Sequence, residues 1–278
     1  MENGAFPFDL SLAKQPVLEI SDSEESRSKK RPLTLTCTPS KKRLFLGGIP
    51  GFAETPQDVQ ALLGPGFANA RFAALNESAT SWLLLLRRWA PSSEDFDTLW
   101  AKHPSSLGKG KLFGKEVTFH RYQQSFGTDY AFSGQVAEAH PLNAEESPEV
   151  WHVLAKLRAA LMQSSLKDCI YGACLVNWYD GGQHSIGAHS DDERGLVPNA
   201  PIFAVSWGSH RIFRVTPRKP DAGKKVEVEV KDGDLIVMGG SCQRTHKHAI
   251  PPCKASGRRI SLTFRCFQSQ QTENTSSQ

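Results

Sequence analysis

From Ala173 to Phe267 the sequence breaks into short β-prone runs divided by turn residues, and this cadence limits the fold more than any other feature. Ala173–Tyr179, Ile186–Asp191, Pro201–Ser206, Arg211–Thr216, Lys225–Val230, Asp234–Met238 and Arg259–Phe267 are short and β-rich, and Thr245–Pro251 is strand-like as well. Asp232-Gly233 between two of them reads as a hairpin turn. Seven or eight such strands in about 100 residues predict a double-sheet jelly roll with helices packed outside it. Upstream, Thr55-Pro56 starts a short helix carrying Val59, Leu62 and Leu63, which Gly64 can end. A second helix is expected after Ser93, with Phe96, Leu99 and Trp100 on its apolar side. Ser147 as N-cap, Pro148 at N1 and Glu149 in the first turn open a third, in which Val150, Leu154, Leu157 and Leu161 form one buried stripe.

At 278 residues the chain can bury a full core without disulfide staples. Its longest apolar run, Trp82 to Leu86, is far too short to span a bilayer, and no secretory leader pattern opens the sequence. The six cysteines include no C-x-x-C pair and read as free thiols of a reducing compartment. A net charge of +4 is modest, but the cations cluster: residues 102–121, 211–225 and 244–259 form three basic stretches suited to a polyanion.

Residues 1–43 are rich in Ser, Lys, Glu and Pro and read as disordered, as does the polar tail 268–278. Val17-Leu18-Glu19-Ile20 followed by Ser21-Asp22-Ser23-Glu24-Glu25 resembles a SUMO-interacting motif, a strip able to add as a strand to a partner's sheet edge. Lys29-Lys30-Arg31 and Lys41-Lys42-Arg43 resemble a bipartite nuclear import signal, so a nuclear location is expected.

His189-Ser190-Asp191 is the first chemical signal. Side chains two apart on a strand share a face, so His189 and Asp191 should point together into the sandwich. With a later His, they would make the two-His, one-carboxylate facial triad of non-haem Fe(II) oxygenases, which leaves open metal positions. His246 and His248 compete for the third place, while His120, His184 and His210 read as surface or core residues. Arg259 to Arg265 alternates: Arg259, Ser261, Thr263 and Arg265 face one side, and Ile260, Leu262 and Phe264 the other. Two arginines turned into a barrel are costly unless they meet anions, such as a dicarboxylate cosubstrate.

Together, Asn177-Trp178-Tyr179, His189-Ser190-Asp191, His248 and Arg259 with Thr263-Phe264-Arg265 resemble the AlkB family of Fe(II)/2-oxoglutarate dioxygenases, from about Leu107 to Phe267. His189-Ser-Asp-Asp-Glu-Arg194 and Pro201-Ile-x-x-Val-Ser206 bring the likeness closest to its eukaryotic duplex-DNA alkylation-repair branch. The resemblance implies an α+β fold: a double-stranded β-helix with outer helices and an N-terminal nucleotide-recognition extension (about 105–135) inside one catalytic domain, 44–267. It implies that His189, Asp191 and His248 hold Fe(II), and that Asn177, Tyr179, Arg259, Thr263 and Arg265 hold 2-oxoglutarate for reaction with O2. Ser261 departs from the Asn of many relatives, and its shorter hydroxyl is expected to loosen cosubstrate binding.

The resemblance extends to the substrate. A base inside a duplex must be flipped out to reach a buried metal. Phe113-Gly114-Lys115, ringed by Lys109 and Lys111, resembles the branch's intercalating finger, and Arg121 and Gln123 would contact the backbone or the opposite strand. Tyr130 and Phe132 would line the pocket, with Phe132 stacking on the flipped base opposite His189. Asp192 and Glu193 would accept from an exocyclic amine and favour a cationic, N-methylated base. The expected activity is oxidative demethylation of 1-methyladenine and 3-methylcytosine in DNA by a monomer. The alternatives are the same chemistry on RNA or single-stranded DNA, and a non-catalytic nucleic-acid-binding scaffold.

Overall fold

The computed structural model describes residues 51–92, 95–112, 114–132 and 135–268, with the backbone alone for 111–112, 130–132 and 135–137. The SUMO-like strip, both basic import-like clusters, Phe113 and the tail from 269 lie outside these residues.

The N-terminal part runs β1 (Ala53–Glu54), α1 (Gln57–Leu63), β2 (Arg71–Ala74), β3 (Ser81–Leu86) and α2 (Asp95–Ala101). Two hairpins flank an edge strand: β4 (Lys109–Leu112) with β5 (Lys115–Thr118), then β6 (Tyr122–Phe126), then β7 (Tyr130–Phe132) with β8 (Gln135–Ala137). After α3 (Pro148–Leu161) come β9 (Ala173–Tyr179), β10 (Ile186–His189), β11 (Ile202–Gly208), β12 (Arg211–Pro217) and β13 (Val226–Val230). The chain closes with β14 (Leu235–Gly240), the single-turn α4 (Cys242–Thr245), β15 (His246–Ile250) and β16 (Arg259–Arg265).

The major sheet has the order β1-β2-β3-β14-β11-β16-β9-β6 and the minor sheet β10-β15-β12-β13. All of their strand pairings are antiparallel, the topology expected of a jelly roll. The period-two rule assigns the faces. On β3, Leu83 and Leu85 join Phe213, Val215, Val228, Val230 and Ile236 in the core between the sheets. Trp82, Leu84 and Leu86 pack outward with the α3 residues Val150, Leu154, Leu157 and Leu161. Ile260, Leu262 and Phe264 lie in that outer core too, so the intervening Arg259, Ser261, Thr263 and Arg265 face the space between the sheets, as their alternation predicts. Fully burying such side chains stabilises by about 1.5–3 kcal/mol each, which fixes the strand register and with it every polar residue between.

Two local readings need correction. Asp232-Gly233 is not a hairpin: β13 belongs to the minor sheet and β14 to the major one, and the turn carries the chain across. Gly233 has φ +75°, and a Cβ there would stand 2.8 Å from the Pro91 backbone. Ser147 does precede α3, but its hydroxyl does not cap the helix. It donates back to the carbonyl of Pro141 (2.7 Å) and so fixes the entering loop instead.

Candidate metal centre and cleft

β10 and β15 are neighbours in the minor sheet, and their register sets His189 directly opposite His248. The two rings lie 4.2 Å apart, centroid to centroid. Asp191 arrives differently from the expectation that one strand carries both ligands, because β10 ends at His189. The loop beyond is tied down by Ser190 Oγ donating to the His246 carbonyl (2.7 Å) and by Asp191 N donating to Gln243 Oε1 (2.9 Å). Asp191 Oδ1 thereby stands 3.5 Å from His189 Nε2 and 3.8 Å from His248 Nε2. One ligand atom from each residue falls within 4.8 Å of the others.

The protonation states suit a cation. His189 Nδ1 lies 2.9 Å from the Gly187 carbonyl, an acceptor only, so Nδ1 donates there and Nε2 is the nitrogen that faces Asp191. Burial, with the neighbouring His189 adding to it, pushes the His248 imidazole down to about 3, and it is neutral at pH 7. Burial works to raise the Asp191 carboxyl, but the Arg265 guanidinium 3.0 Å away, and then the two imidazoles, hold it well below the usual carboxylate range. Asp191 is buried, and neither of its oxygens makes a well-oriented hydrogen bond among the described residues. A buried carboxylate left this way, beside two imidazole rings, fits a divalent cation. His246 loses the competition: it is buried with Nδ1 at 2.7 Å from Thr245 Oγ1, and stands outside the triad.

Across a cleft of about 640 Å³ the major sheet presents Asn177, Tyr179, Arg259, Ser261, Thr263 and Arg265. Arg259 is buried and donates from Nη2 to Ser206 Oγ (2.7 Å). Its Nε and Nη1 have no well-oriented partner among the described residues. Burial lowers the guanidinium to about 10, still charged at neutral pH. Its Cζ sits 4.9 Å over the Tyr179 ring, with the Arg211 Cζ 5.6 Å from the same ring. A buried cation with idle donors facing a cleft suits a carboxylate.

The residues expected to meet substrate fall into several places. Glu193 turns inward, with Oε1 at 3.7 Å from Arg265 Nε, whereas Asp192 is exposed and paired with Arg218 (2.8 Å); both line the cleft. Arg121 lines it too, but its Nε donates to Asn177 Oδ1 (2.7 Å) instead of projecting outward. Gln123 sits opposite Asn177 on β6 and is not part of the cleft wall. β4 and β5 pair out to Leu112 with Lys115, which leaves a two-residue connection. There Gly114 has φ +76° with open space around it, and Lys115 is exposed. Tyr130 and Phe132 begin and end β7.

Three residues of the site go unassigned in the sequence. Arg211 reads there as part of a basic surface, yet it is buried and donates to the carbonyls of His184 (2.8 Å) and Pro251 (2.7 Å). Ser206 anchors Arg259, and Phe213 stacks on His248 at 5.6 Å. Strand alternation marks all three as inward, but nothing local names a partner.

The sequence matches the profile of the 2OG-Fe(II) oxygenase superfamily over residues 89–265. It is 30% identical over 227 residues to "DNA oxidative demethylase ALKBH2" of Homo sapiens, covering 76% of this chain and 81% of that one. It is 29% identical over 153 residues to "Alpha-ketoglutarate-dependent dioxygenase alkB homolog 3" of Bos taurus, 52% of each chain. Among solved structures, that of OsALKBH1 aligns with a TM-score of 0.47 at 17% identity, over 66% of this chain and 96% of that one. With this profile match and with the human relative covered over most of its length, the chain belongs to the 2OG-Fe(II) oxygenase superfamily and, within it, to the ALKBH2-like branch of the AlkB family.

Proposed function

We propose that the chain is an oxidative demethylase of N-alkylated bases in DNA, acting on 1-methyladenine and 3-methylcytosine flipped out of a duplex. The observation that carries the reading is one cleft holding a vacant-handed buried guanidinium, Arg259, across from the His189, Asp191 and His248 cluster, in a chain similar to a DNA oxidative demethylase. His189, Asp191 and His248 would hold Fe(II), and Asn177, Tyr179, Arg259, Thr263 and Arg265 its cosubstrate. When bound, Fe(II) and 2-oxoglutarate activate O2 and supply oxidation of an N-methyl carbon, with release of succinate, CO2 and formaldehyde.

The chain's own part is positioning and charge. Arg259 keeps donors at Nε and Nη1 without a well-oriented partner among the described residues, and its planar guanidinium offers a carboxylate fixed donor directions that lysine would not give. Arg265 holds Asp191 ionised and orients it, so the carboxylate needs no proton lost on loading. Glu193 and Asp192 put acceptors on the cleft wall, where a methylated, cationic base gains more than its neutral parent. Residues 105–135 form the nucleotide-recognition part of a catalytic domain spanning 44–267, and Phe113, which falls between β4 and β5 in the sequence, is the wedge filling the vacated stack. The import-like clusters support a nuclear location, and residues 17–25 a SUMO-type partner.

Formaldehyde release from paired single- and double-stranded methylated oligonucleotides, with and without 2-oxoglutarate, tests this. Release should require 2-oxoglutarate and vanish in His189→Ala, and Phe113→Ala should lose activity on duplex far more than on single strands. Equal losses would remove the wedge and leave a single-strand or RNA demethylase; no cosubstrate-dependent release from any substrate would remove the demethylase.

A further inference from the structure

We infer that Arg121 is a positioning residue for the cosubstrate, fixing the Asn177 side-chain amide so that its NH2 end serves the cleft; this rests on the cosubstrate reading of that wall. Arg121 Nε stands 2.7 Å from Asn177 Oδ1. A guanidinium can only donate, so the atom it meets must be the amide oxygen, and the two N–H donors of Asn177 are turned the other way. Asn177 is buried, pairs with Ser261 of β16 on one side and Gln123 of β6 on the other, and lines the same cleft as Arg259 and Arg265. A donor held there faces an anion. Without Arg121 the amide is free to rotate its oxygen toward that anion, and an acceptor would replace a donor.

Arg121 is itself held from the hairpin side. Its Cζ lies 5.5 Å from the Phe119 ring. Phe119 N donates to the Gly108 carbonyl (2.8 Å), and a Cβ built at Gly110 would stand 2.5 Å from Phe119 Cζ. Glycine at 110 is therefore what lets the ring seat against β4. The hairpin bearing Lys109 and Lys115 and the cosubstrate wall thus meet at one guanidinium, which sequence reading gives to nucleic acid alone.

The test is calorimetric titration of 2-oxoglutarate into the full chain loaded with Mn(II), with no nucleic acid present. Arg121→Ala should weaken binding about tenfold, the scale of one charge-assisted hydrogen bond. The loss should be non-additive: Arg121→Ala with Asn177→Ala should bind no more weakly than Asn177→Ala alone. Asn177→Asp, which keeps an acceptor for Arg121 but has no N–H to give, should also bind weakly. Wild-type affinity in Arg121→Ala or in Asn177→Asp, or additive losses in the double variant, would overturn the inference. Arg121→Met, retaining the stem over Phe119, replaces Arg121→Ala if the latter does not fold. A wild-type protein that binds no 2-oxoglutarate would instead overturn the cosubstrate reading, and this inference with it.

Discussion

His248 and His246 are both buried imidazoles whose proton affinity the fold depresses, His248 to about 3 and His246 in the same direction through burial. The sign for stability follows directly. Below about pH 6.5 the unfolded chain takes up protons that the folded chain refuses, so stability is complete above that pH and falls as pH drops. The slope is at most about 1.4 kcal/mol per pH unit for each imidazole. Asp191, held well below the carboxylate range, stays ionised through this window and adds nothing to the slope. Urea midpoints of the metal-free protein at about pH 7.5 and about pH 5 should differ accordingly. Equal midpoints would mean that the two imidazoles are not held neutral.

At the scale of elements, the crossing from β13 to β14 is the most exposed to a single change. Asp234 is 1% exposed, accepts from Lys231 N (2.8 Å) and Arg88 N (3.1 Å), and pairs with Arg87. Asp234→Ala should cost about 1–3 kcal/mol, read from the denaturation midpoint, because two part-buried N–H groups and the Arg87 guanidinium lose their acceptor. Asp232 accepts from Gly208 N (2.9 Å) and at longer range from Ser92, so Asp232→Ala should cost less. The sequence announces a turn here but not where it leads, since Asp-Gly reports local backbone shape and not which sheet receives the next strand. The same division runs through the fold. β9 is legible to the residue and β16 nearly so, because turn residues bound them and β16 alternates in polarity. β3 escapes because Ser81–Leu86 is buried on both faces, and a strand without a polar face has no period to read. β2 and the hairpins around β6 are too short to stand out. In the site, His189, Asp191, Arg259 and Arg265 are legible as types with a shared face. Asp191's actual route, by a loop pinned through Gln243, depends on a contact between segments distant in sequence that spacing cannot encode.

Over the whole molecule, the arginines of the three basic stretches turn out to be engaged internally, Arg121 with Asn177 among them. Arg211 and Arg259 are buried, and Arg214 pairs with Glu227 (2.6 Å), Arg218 with Asp192 (2.8 Å), Arg258 with Asp97 (2.9 Å), while Arg244 donates to Asn199 (2.6 Å). Lys115, at the hairpin tip, is exposed. Nucleic-acid binding by this protein should therefore draw its salt dependence from exposed lysines, Lys115 of the hairpin among them, rather than from these arginines. Lys115→Ala should lower the log–log salt slope by about one, and Arg214→Ala should leave it unchanged. The reverse ranking, in a filter-binding titration, would move the contact surface to β12.

The cleft has one wall from each sheet: the imidazoles hang from β10 and β15, the guanidiniums from β16. Whatever spans it becomes a keystone between two layers whose shared core is otherwise apolar. Amide hydrogens of the smaller layer should then exchange more slowly once both metal and keto-acid are in place than with either alone, so that solvent protection itself registers a fully assembled centre.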